Sequence, residues 1–495
     1  MILRALLILL LSCSAAHALN GRPEVVILIS DDVSTNGFGT YGETDSVIGT
    51  NYDTSNLDTL AGLGQIYLNF TSQPMCSPSR NDLWYGSNPL LHGVGRALSE
   101  TKRRGVPWAQ RESLVSALQA VGAQVGIVGK HHIQDWGDDA LLGTAATQAA
   151  AMGFDFADVM MLANPSDDYP PTAGSPHAAG NHHYSWIESD PDTGVGSINT
   201  TYTTDAFTAA AVARLQDNSD MRPMLLVVAY SASHTPFNPP PLDACGAEDS
   251  VSYTACYGAS ITYIDGDIPS ITAELDFSED TLIYISENGR PSNAGDTEHC
   301  DRALSKGHAT ACGTRVPMVV RGVDIVTTGN VSALINIADL HDTLREMFGA
   351  PQTGQESESF VDCFTNPSTC VPRTISSAII FDPPGLPVPP EDGQAFSKYE
   401  MHFSIVGGTT LYGMNRVYTE NDVGDFEDKL YDLGSPSVID EDKRYGQVEI
   451  PSPSVGEQQN ALNAMIAEAT RLIDARWAGP SNQMVGVTMV GVGTK

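Results

Sequence analysis

The stretch Val25-Val26-Ile27-Leu28-Ile29-Ser30-Asp31-Asp32 joins five branched apolar residues to a doubly acidic end. The run is too short for a core helix and shows no polar alternation, so it reads as a strand buried on both faces, the habit of parallel sheets. The same grammar recurs along the chain. Val125–Val128 leads into Gly129-Lys130, Leu225–Ala229 into Ser233-His234, and Leu282–Ile285 into Glu287-Asn288, while Met318–Val320 forms a further apolar run. Helical patterns lie between them, at Asn56–Leu63, Arg111–Ala120, Tyr202–Leu215 and Ala338–Phe348. Strands alternating with helices predict an α/β fold, with a large, mostly parallel sheet flanked by helices. Ligands of such sheets bind beyond the carboxyl ends of the strands. Four polar clusters occupy that one topological position, and they mark the candidate site.

The chain of 495 residues carries 60 acidic and 26 basic side chains, a formal net charge of −34. That balance argues against nucleic acid as a partner, because phosphate binding needs a basic surface. It reads as a device for solubility. Residues 1–18 read as a secretory signal: Arg4 gives the positive start, Ala5–Leu11 the apolar segment, and Ala16-His17-Ala18 the small-x-small cleavage site. The expected location is secreted or periplasmic, with lipidation at Cys13 as the alternative. No later stretch has the length and apolarity to span a membrane. The expected organisation is a catalytic unit over 19–381, a Pro-rich linker over 382–393, and a smaller α+β unit over 394–495. In that last unit Tyr399–Val406 and Thr409–Thr419 read as antiparallel strands. Gln458–Trp477 reads as an amphipathic helix with Leu462, Met465, Ile466, Ala469 and Ile473 on one face. Residues Asn164–Asn181 read as a long loop, and His182, His183, Tyr184 and Trp186 after it read as loop packing, with a sugar subsite as the alternative. Export implies an oxidising compartment. Cys245, Cys256, Cys300, Cys312, Cys363 and Cys370 fall into three close pairs, so three local disulfides are the simplest arrangement, and no CxxC spacing suggests zinc. Asn69, Asn199 and Asn330 begin glycosylation sequons.

The strongest motif is Cys76-Ser77-Pro78-Ser79-Arg80. It resembles the C-x-P-S-R signature of type I sulfatases of the alkaline-phosphatase-like superfamily, in which the cysteine is oxidised to formylglycine. Upstream, Thr54-Ser55-Asn56-Leu57-Asp58-Thr59-Leu60 resembles the family's T-P-N-L-D-x-L. Gly86 stands at the signature's closing glycine, although Tyr85 replaces the usual Thr. Further clusters follow in family order: Asp31-Asp32; Gly129-Lys130-His131-His132 for G-K-W-H; His234-Thr235-Pro236-Phe237 for H-x-P-F; Ser286-Glu287-Asn288-Gly289 for S-D-N-G; Lys306-Gly307 with Gly313-Thr314-Arg315-Val316-Pro317; and Lys429-Leu430-Tyr431-Asp432-Leu433 for E-L-Y-D-L. Glu287 departs from the usual Asp, and Ala311-Cys312 from the usual Glu-Gly.

The residue types suit the chemistry that the resemblance implies. A sulfate ester is anionic, so its site must neutralise the sulfate oxygens and hold a nucleophile in line. Oxygen ligands from Asp31, Asp32, Glu287 and Asn288, with the modified Cys76, suit a hard cation, and Ca²⁺ is expected with Mg²⁺ as the alternative. The resemblance makes Arg80 the residue that steadies the hydrated formylglycine, and Lys130 and Lys306 the contacts to sulfate. It makes His132 the base of the second step and His234 the acid on the leaving alcohol. The implied reaction is hydrolysis of sulfate monoesters, of sulfated carbohydrates or aryl sulfates, through a covalent sulfo-enzyme. The implied partners are a sulfated small molecule or glycan and a formylglycine-generating maturation enzyme. Two alternatives stand beside it: a phosphodiester or phosphonate monoester hydrolase of the same fold, and a non-catalytic binder of sulfated glycans.

Overall fold

The computed structural model describes residues 23–42, 52–98, 112–133, 149, 152–161, 182–189, 196–217, 219–241, 245, 250–294, 305–353, 356–370, 373–380, 398–407, 410–419, 427–432, 448–450, 453 and 456–478. The signal segment, Cys13, the loop at 164–181, Cys300 and the Pro-rich stretch at 382–393 lie outside the described residues.

Ten strands build the larger sheet: β1 (Glu24–Ser30), β2 (Gln65–Thr71), β3 (Gln124–Lys130), β4 (Phe156–Met161), β5 (Trp186–Ser189), β6 (Gly196–Asn199), β7 (Met224–Ala229), β8 (Thr281–Ser286), β9 (Met318–Gly322) and β10 (Gly329–Asn336). Their order is β10-β2-β9-β8-β1-β7-β3-β4-β5-β6. The middle of the sheet, β8-β1-β7-β3-β4, is parallel throughout. β9 runs antiparallel to both of its neighbours, and β5 and β6 form an antiparallel margin. The five apolar runs read from the sequence are β1, β3, β7, β8 and β9.

Alternation along each strand divides the interior into two cores. Val25, Ile27 and Ile29 of β1 pack with Val125, Leu225 and Ile283 beneath the helices Leu114–Ala120 and Asp339–Met347. Val26 and Leu28 face the other way, toward the helices Ser55–Gly62, Thr203–Gln216 and Ser250–Thr272 through Leu57, Phe207 and Ile264. Each such side chain, fully buried, contributes about 1.5–3 kcal/mol. With both faces covered, only the strand ends remain for a ligand. The sequon at Asn69 lies on β2, where the side chain is buried and donates to the Ser332 carbonyl at 2.7 Å, so this sequon is closed in the folded chain.

A second, five-stranded antiparallel sheet contains β11 (Ile375–Ile380), β12 (Lys398–Gly407), β13 (Thr410–Thr419), β14 (Glu427–Asp432) and β15 (Val448–Glu449). The helix Glu457–Ala478 covers it. Its buried line is Ala461, Met465, Ala469 and Leu472, with Leu462 and Ile466 only partly buried, so the inward face is rotated from the one the periodicity suggests. Disulfides join Cys245 to Cys256 and Cys363 to Cys370. Cys312 is also disulfide-bonded, with its partner outside the described residues.

Gly64 shows how tightly the helices meet the sheet. A Cβ there would lie 2.2 Å from the Val320 carbonyl oxygen of β9, a backbone atom with no room to yield. Gly64→Ala is expected to destabilise the chain by about 1–3 kcal/mol, read as a lowered midpoint in thermal or urea unfolding; an unchanged midpoint would count against this packing.

Candidate active site

Cys76 begins the helix Cys76–Tyr85, which follows β2. Pro78 is tolerated there because first-turn N–H groups have no intrahelical acceptor. The Ser79 hydroxyl donates to the Met75 carbonyl at 3.0 Å, and its oxygen accepts the Gln73 N–H at 3.0 Å, which closes the turn into the helix. Asn81 donates to the Ser77 and Ile133 carbonyls at 2.8 and 2.9 Å. Gly86 ends the helix with φ 58°, a left-handed cap that suits glycine, and a Cβ there would also meet the His341 ring at 2.7 Å. A motif that reads as a turn in isolation is therefore a ten-residue helix. The Cys76 thiol is free and wholly buried, and burial pushes it up to about 11. At neutral pH it is a protonated, inert thiol.

Three cations and three carboxylates meet beside it. Arg80 pairs with Glu287 and donates to the Lys130 carbonyl, and Lys130 pairs with Asp31 and lies 3.4 Å from Glu287. Lys306 pairs with Asp32 at 2.6 Å, and the Asn288 amide donates to the same Asp32 carboxylate at 2.7 Å. Burial works against the Lys130 ammonium, but the Asp31 and Glu287 carboxylates hold it above its ordinary value. Asp32 holds Lys306 upward in the same way. The Lys306 segment is fastened to the nucleophile's approach, since the Gly307 N–H donates to the Pro74 carbonyl at 2.9 Å.

Asp31, Asp32 and His234 bring ligand atoms within 4.8 Å of one another. Asp31 Oδ1 and Asn288 Oδ1 are buried and accept no hydrogen bond. Unpartnered oxygens of this kind are costly unless something electropositive meets them. Two aspartates and an amide oxygen form a hard donor set, so the residues present fit a hard divalent cation. Glu287 is not part of that cluster. Its carboxylate faces Arg80 and Lys130 and also neighbours Asp31.

Hydrogen bonds fix the histidine tautomers. His132 Nε2 lies 2.8 Å from the Leu98 carbonyl, which can only accept, so Nε2 carries the proton. Nδ1 is then bare, 3.2 Å from Cys76 Sγ. Burial, with Lys130 adding, holds His132 well below its usual range and keeps it neutral. His234 Nδ1 donates to the Thr235 carbonyl at 2.6 Å, which leaves Nε2 facing Asp32 at 3.8 Å. Asp32 and His132 both hold positive φ, 61° and 46°. Such strain costs of order 1–3 kcal/mol per residue and concentrates at functional sites.

The six catalytic candidates and the five metal candidates, Cys76 being in both sets, thus share one buried cluster at the carboxyl ends of β1, β3, β7 and β8 and the start of the helix Cys76–Tyr85. A sequence profile described as Sulfatase matches residues 23–350. The chain belongs to the sulfatase family. It is 25% identical over 343 residues to arylsulfatase J of Mus musculus, covering 67% of this chain and 53% of that protein. It is 26% identical over 358 residues to arylsulfatase A of Homo sapiens, covering 69% of this chain and 67% of that protein. The chain therefore matches about half to two-thirds of the length of these curated relatives. Solved structures share the fold: the PsFucS1 sulfatase from Pseudoalteromonas sp. superposes with TM-score 0.65 at 16% identity over 92% of this chain and 91% of that one. A structure in complex with its substrate D-glucosamine-2-N,6-O-disulfate gives 0.64 at 15% identity over 92% and 98%.

The family departures have local explanations in this sulfatase-family chain. Cys312 is buried and disulfide-bonded where the family has glycine. Trp186 belongs to the core, and its indole N–H donates to the Thr201 carbonyl at 2.9 Å, so it is packing rather than a sugar subsite. His131, in place of the family's aromatic residue, packs edge-on to Phe154 with ring centres 6.5 Å apart, and both ring nitrogens are buried without hydrogen-bond partners. Burial, with Arg80 adding, lowers it to about 3. Above the ordinary histidine value neither folded nor unfolded chain binds a proton there. As pH falls below that value the unfolded chain gains a proton that the folded chain refuses, and stability is lost toward pH 3. His131→Phe is expected to raise stability, by about 2 kcal/mol at pH 5 beyond any gain at pH 7.5. Unfolding curves at the two pH values measure it, and an equal change at both would contradict the assignment.

Proposed function

We propose that this chain is a secreted or periplasmic hydrolase of sulfate monoesters, acting on sulfated carbohydrates or aryl sulfates, with Cys76 matured to formylglycine. The observation that carries this reading is the buried, inert thiol of Cys76, set against the bare Nδ1 of His132 and ringed by Arg80, Lys130 and Lys306. Burial disfavours the thiolate of an unmodified cysteine here, yet the surroundings are built to serve a nucleophile. Formylglycine supplies, once hydrated, a geminal diol that can attack sulfur with one oxygen and release sulfate through the other. In this reading Arg80 holds the modified side chain, and Lys130 and Lys306 neutralise the sulfate oxygens, which is electrostatic stabilisation by preset charges. His132 accepts a proton at Nδ1 from residue 76, and His234, as the imidazolium with Nδ1–H held on the Thr235 carbonyl, passes its Nε2 proton to the departing alcohol and becomes neutral. Asp31, Asp32 and Asn288 would hold the divalent ion, for which we propose Ca²⁺. Glu287 is assigned the counter-charge that fixes Arg80 and Lys130. The disulfides support export to an oxidising compartment. Among the described residues no helix is long and apolar enough to cross a membrane.

Turnover tests the reading directly. Protein co-expressed with a formylglycine-generating enzyme should carry the aldehyde at position 76 by peptide mass analysis and should hydrolyse an aryl sulfate in preference to a phosphate diester or phosphonate. Cys76→Ala should unfold at an unchanged temperature and lose at least about 1000-fold in rate, the scale of removing a nucleophile. Substantial activity in that variant would overturn the mechanism.

Metal binding is tested separately by calorimetry. Chelation should abolish turnover and Ca²⁺ should restore it. Asp32→Asn should weaken Ca²⁺ binding more than Glu287→Gln, because Asp32 belongs to the cluster of ligand atoms and Glu287 does not. The reverse order would return Glu287 to the metal shell.

A further inference from the structure

The short helical turn His182–Tyr184 lies outside the motifs that define the site, yet it is stapled to the segment that carries His234. The His183 N–H donates to Asn238 Oδ1 at 3.0 Å, and the Tyr184 hydroxyl donates to the Pro239 carbonyl at 2.8 Å. Between these bonds, the buried His183 ring reaches the backbone of His234 itself: Nε2 lies 3.1 Å from the His234 carbonyl oxygen. That oxygen can only accept, so Nε2 carries the hydrogen, and Nδ1 accepts from the Thr203 hydroxyl at 2.9 Å. Thr203 opens the helix Thr203–Gln216, whose Phe207 and Ala211 are packed into the sheet's core. His234, whose own N–H and Nδ1 bond within its loop, is therefore also referred, through one imidazole of fixed tautomer, to a rigid element.

We propose that His183 is a positioning residue for His234, setting where the His234 Nε2 stands relative to the leaving-group oxygen. The inference rests on the sulfatase reading given above. A proton donor misplaced by about 1 Å can cost around 100-fold in rate. The loss must depend on the substrate. An alkyl or sugar alcohol is a poor leaving group and needs the proton as the S–O bond breaks, whereas 4-nitrophenolate leaves unaided. A residue that merely supports the fold would slow both alike.

The test compares kcat for 4-nitrophenyl sulfate and for a hexose 6-sulfate in the matured, Ca²⁺-loaded enzyme. His183→Ala is expected to lower kcat for the sugar sulfate by about 30–100-fold and for the aryl sulfate by less than about threefold. His183→Gln, whose amide can still donate to the His234 carbonyl, should recover most of the sugar sulfate rate. Thr203→Val, nearly isosteric at a buried position, should shift the ratio in the same direction by a smaller factor, and it serves if His183→Ala does not fold. Equal losses on both substrates, or no loss on either, would overturn the proposal. If the unaltered, matured enzyme turns over neither sulfate, the sulfatase reading fails and this inference falls with it; wild-type turnover with a flat ratio in the variants refutes the inference alone.

Discussion

Everything at this site depends on a charge balance that has been taken out of water. Asp31, Asp32 and Glu287 meet Arg80, Lys130 and Lys306 in a space where five of the six are buried and Lys306 is only slightly exposed. Desolvating such groups costs several kcal/mol each, and removing one partner leaves an uncompensated buried charge. The six come from three separate strand ends, those of β1, β3 and β8, or the turns beyond them, and from the nucleophile helix. Parallel strands in one register deliver them to one plane. The sheet is thus the device that holds the charges together, and the charges explain why the polar clusters could not lie anywhere else along those strands.

Much of this was legible in the chain alone, for identifiable reasons. Val25–Ile29 is apolar on both faces, and it proves to be the central strand with a core on either side. The acid and base clusters follow apolar runs because the strands end where the solvent-facing rim begins. Other features were not legible. The helix Ser250–Thr272 has no clean apolar stripe, carries Pro269, and is held by packing of Ile261, Ile264 and Ile268 on the sheet, a tertiary effect that periodicity cannot report. The left-handed backbone at Asp32 and His132 is imposed by the surrounding site, and no local residue preference announces it. Glu287 reads as a metal ligand from its place in the motif, and nothing in the sequence signals its two cationic partners, Arg80 and Lys130. Its partners are 207 and 157 residues distant in the chain, and only the folded site shows them. The His183 clamp was hidden for the same cause: a histidine in a loop carries no sequence signal of the carbonyl it will meet.

The smaller sheet also has a connection to the nucleophile. The Ile379 N–H of β11 donates to Gln73 Oε1 at 2.7 Å, and Gln73 Nε2 donates to Asp82 Oδ2 at 2.5 Å, on the helix that begins with Cys76. Asp82 is further held by His92 at 2.7 Å. Arg471 of the C-terminal helix reaches Glu356 at 2.8 Å, and Asn88 donates to the same carboxylate at 3.3 Å. The buried part of this network, Gln73, Asp82 and His92, is satisfied only when every member is in place, while the Arg471 pair lies at the surface. The second sheet therefore acts on the site by holding the far side of the nucleophile helix.

The complete burial of Cys76 also orders events in time. Its thiol is sealed beneath His132 and against Lys130, residues that arrive only when β3 has joined the sheet. In the proposed reading, an enzyme that modifies this cysteine reaches it before the site closes, since Cys76 is fully buried in the folded chain. β1 pairs with β7 and β8 across more than 190 residues of chain, and contacts so distant form slowly. The topology that builds the charged floor thus leaves a newly made chain open for longer than a locally folded protein would be, and in the proposed reading maturation and folding would run as two clocks on the same residue.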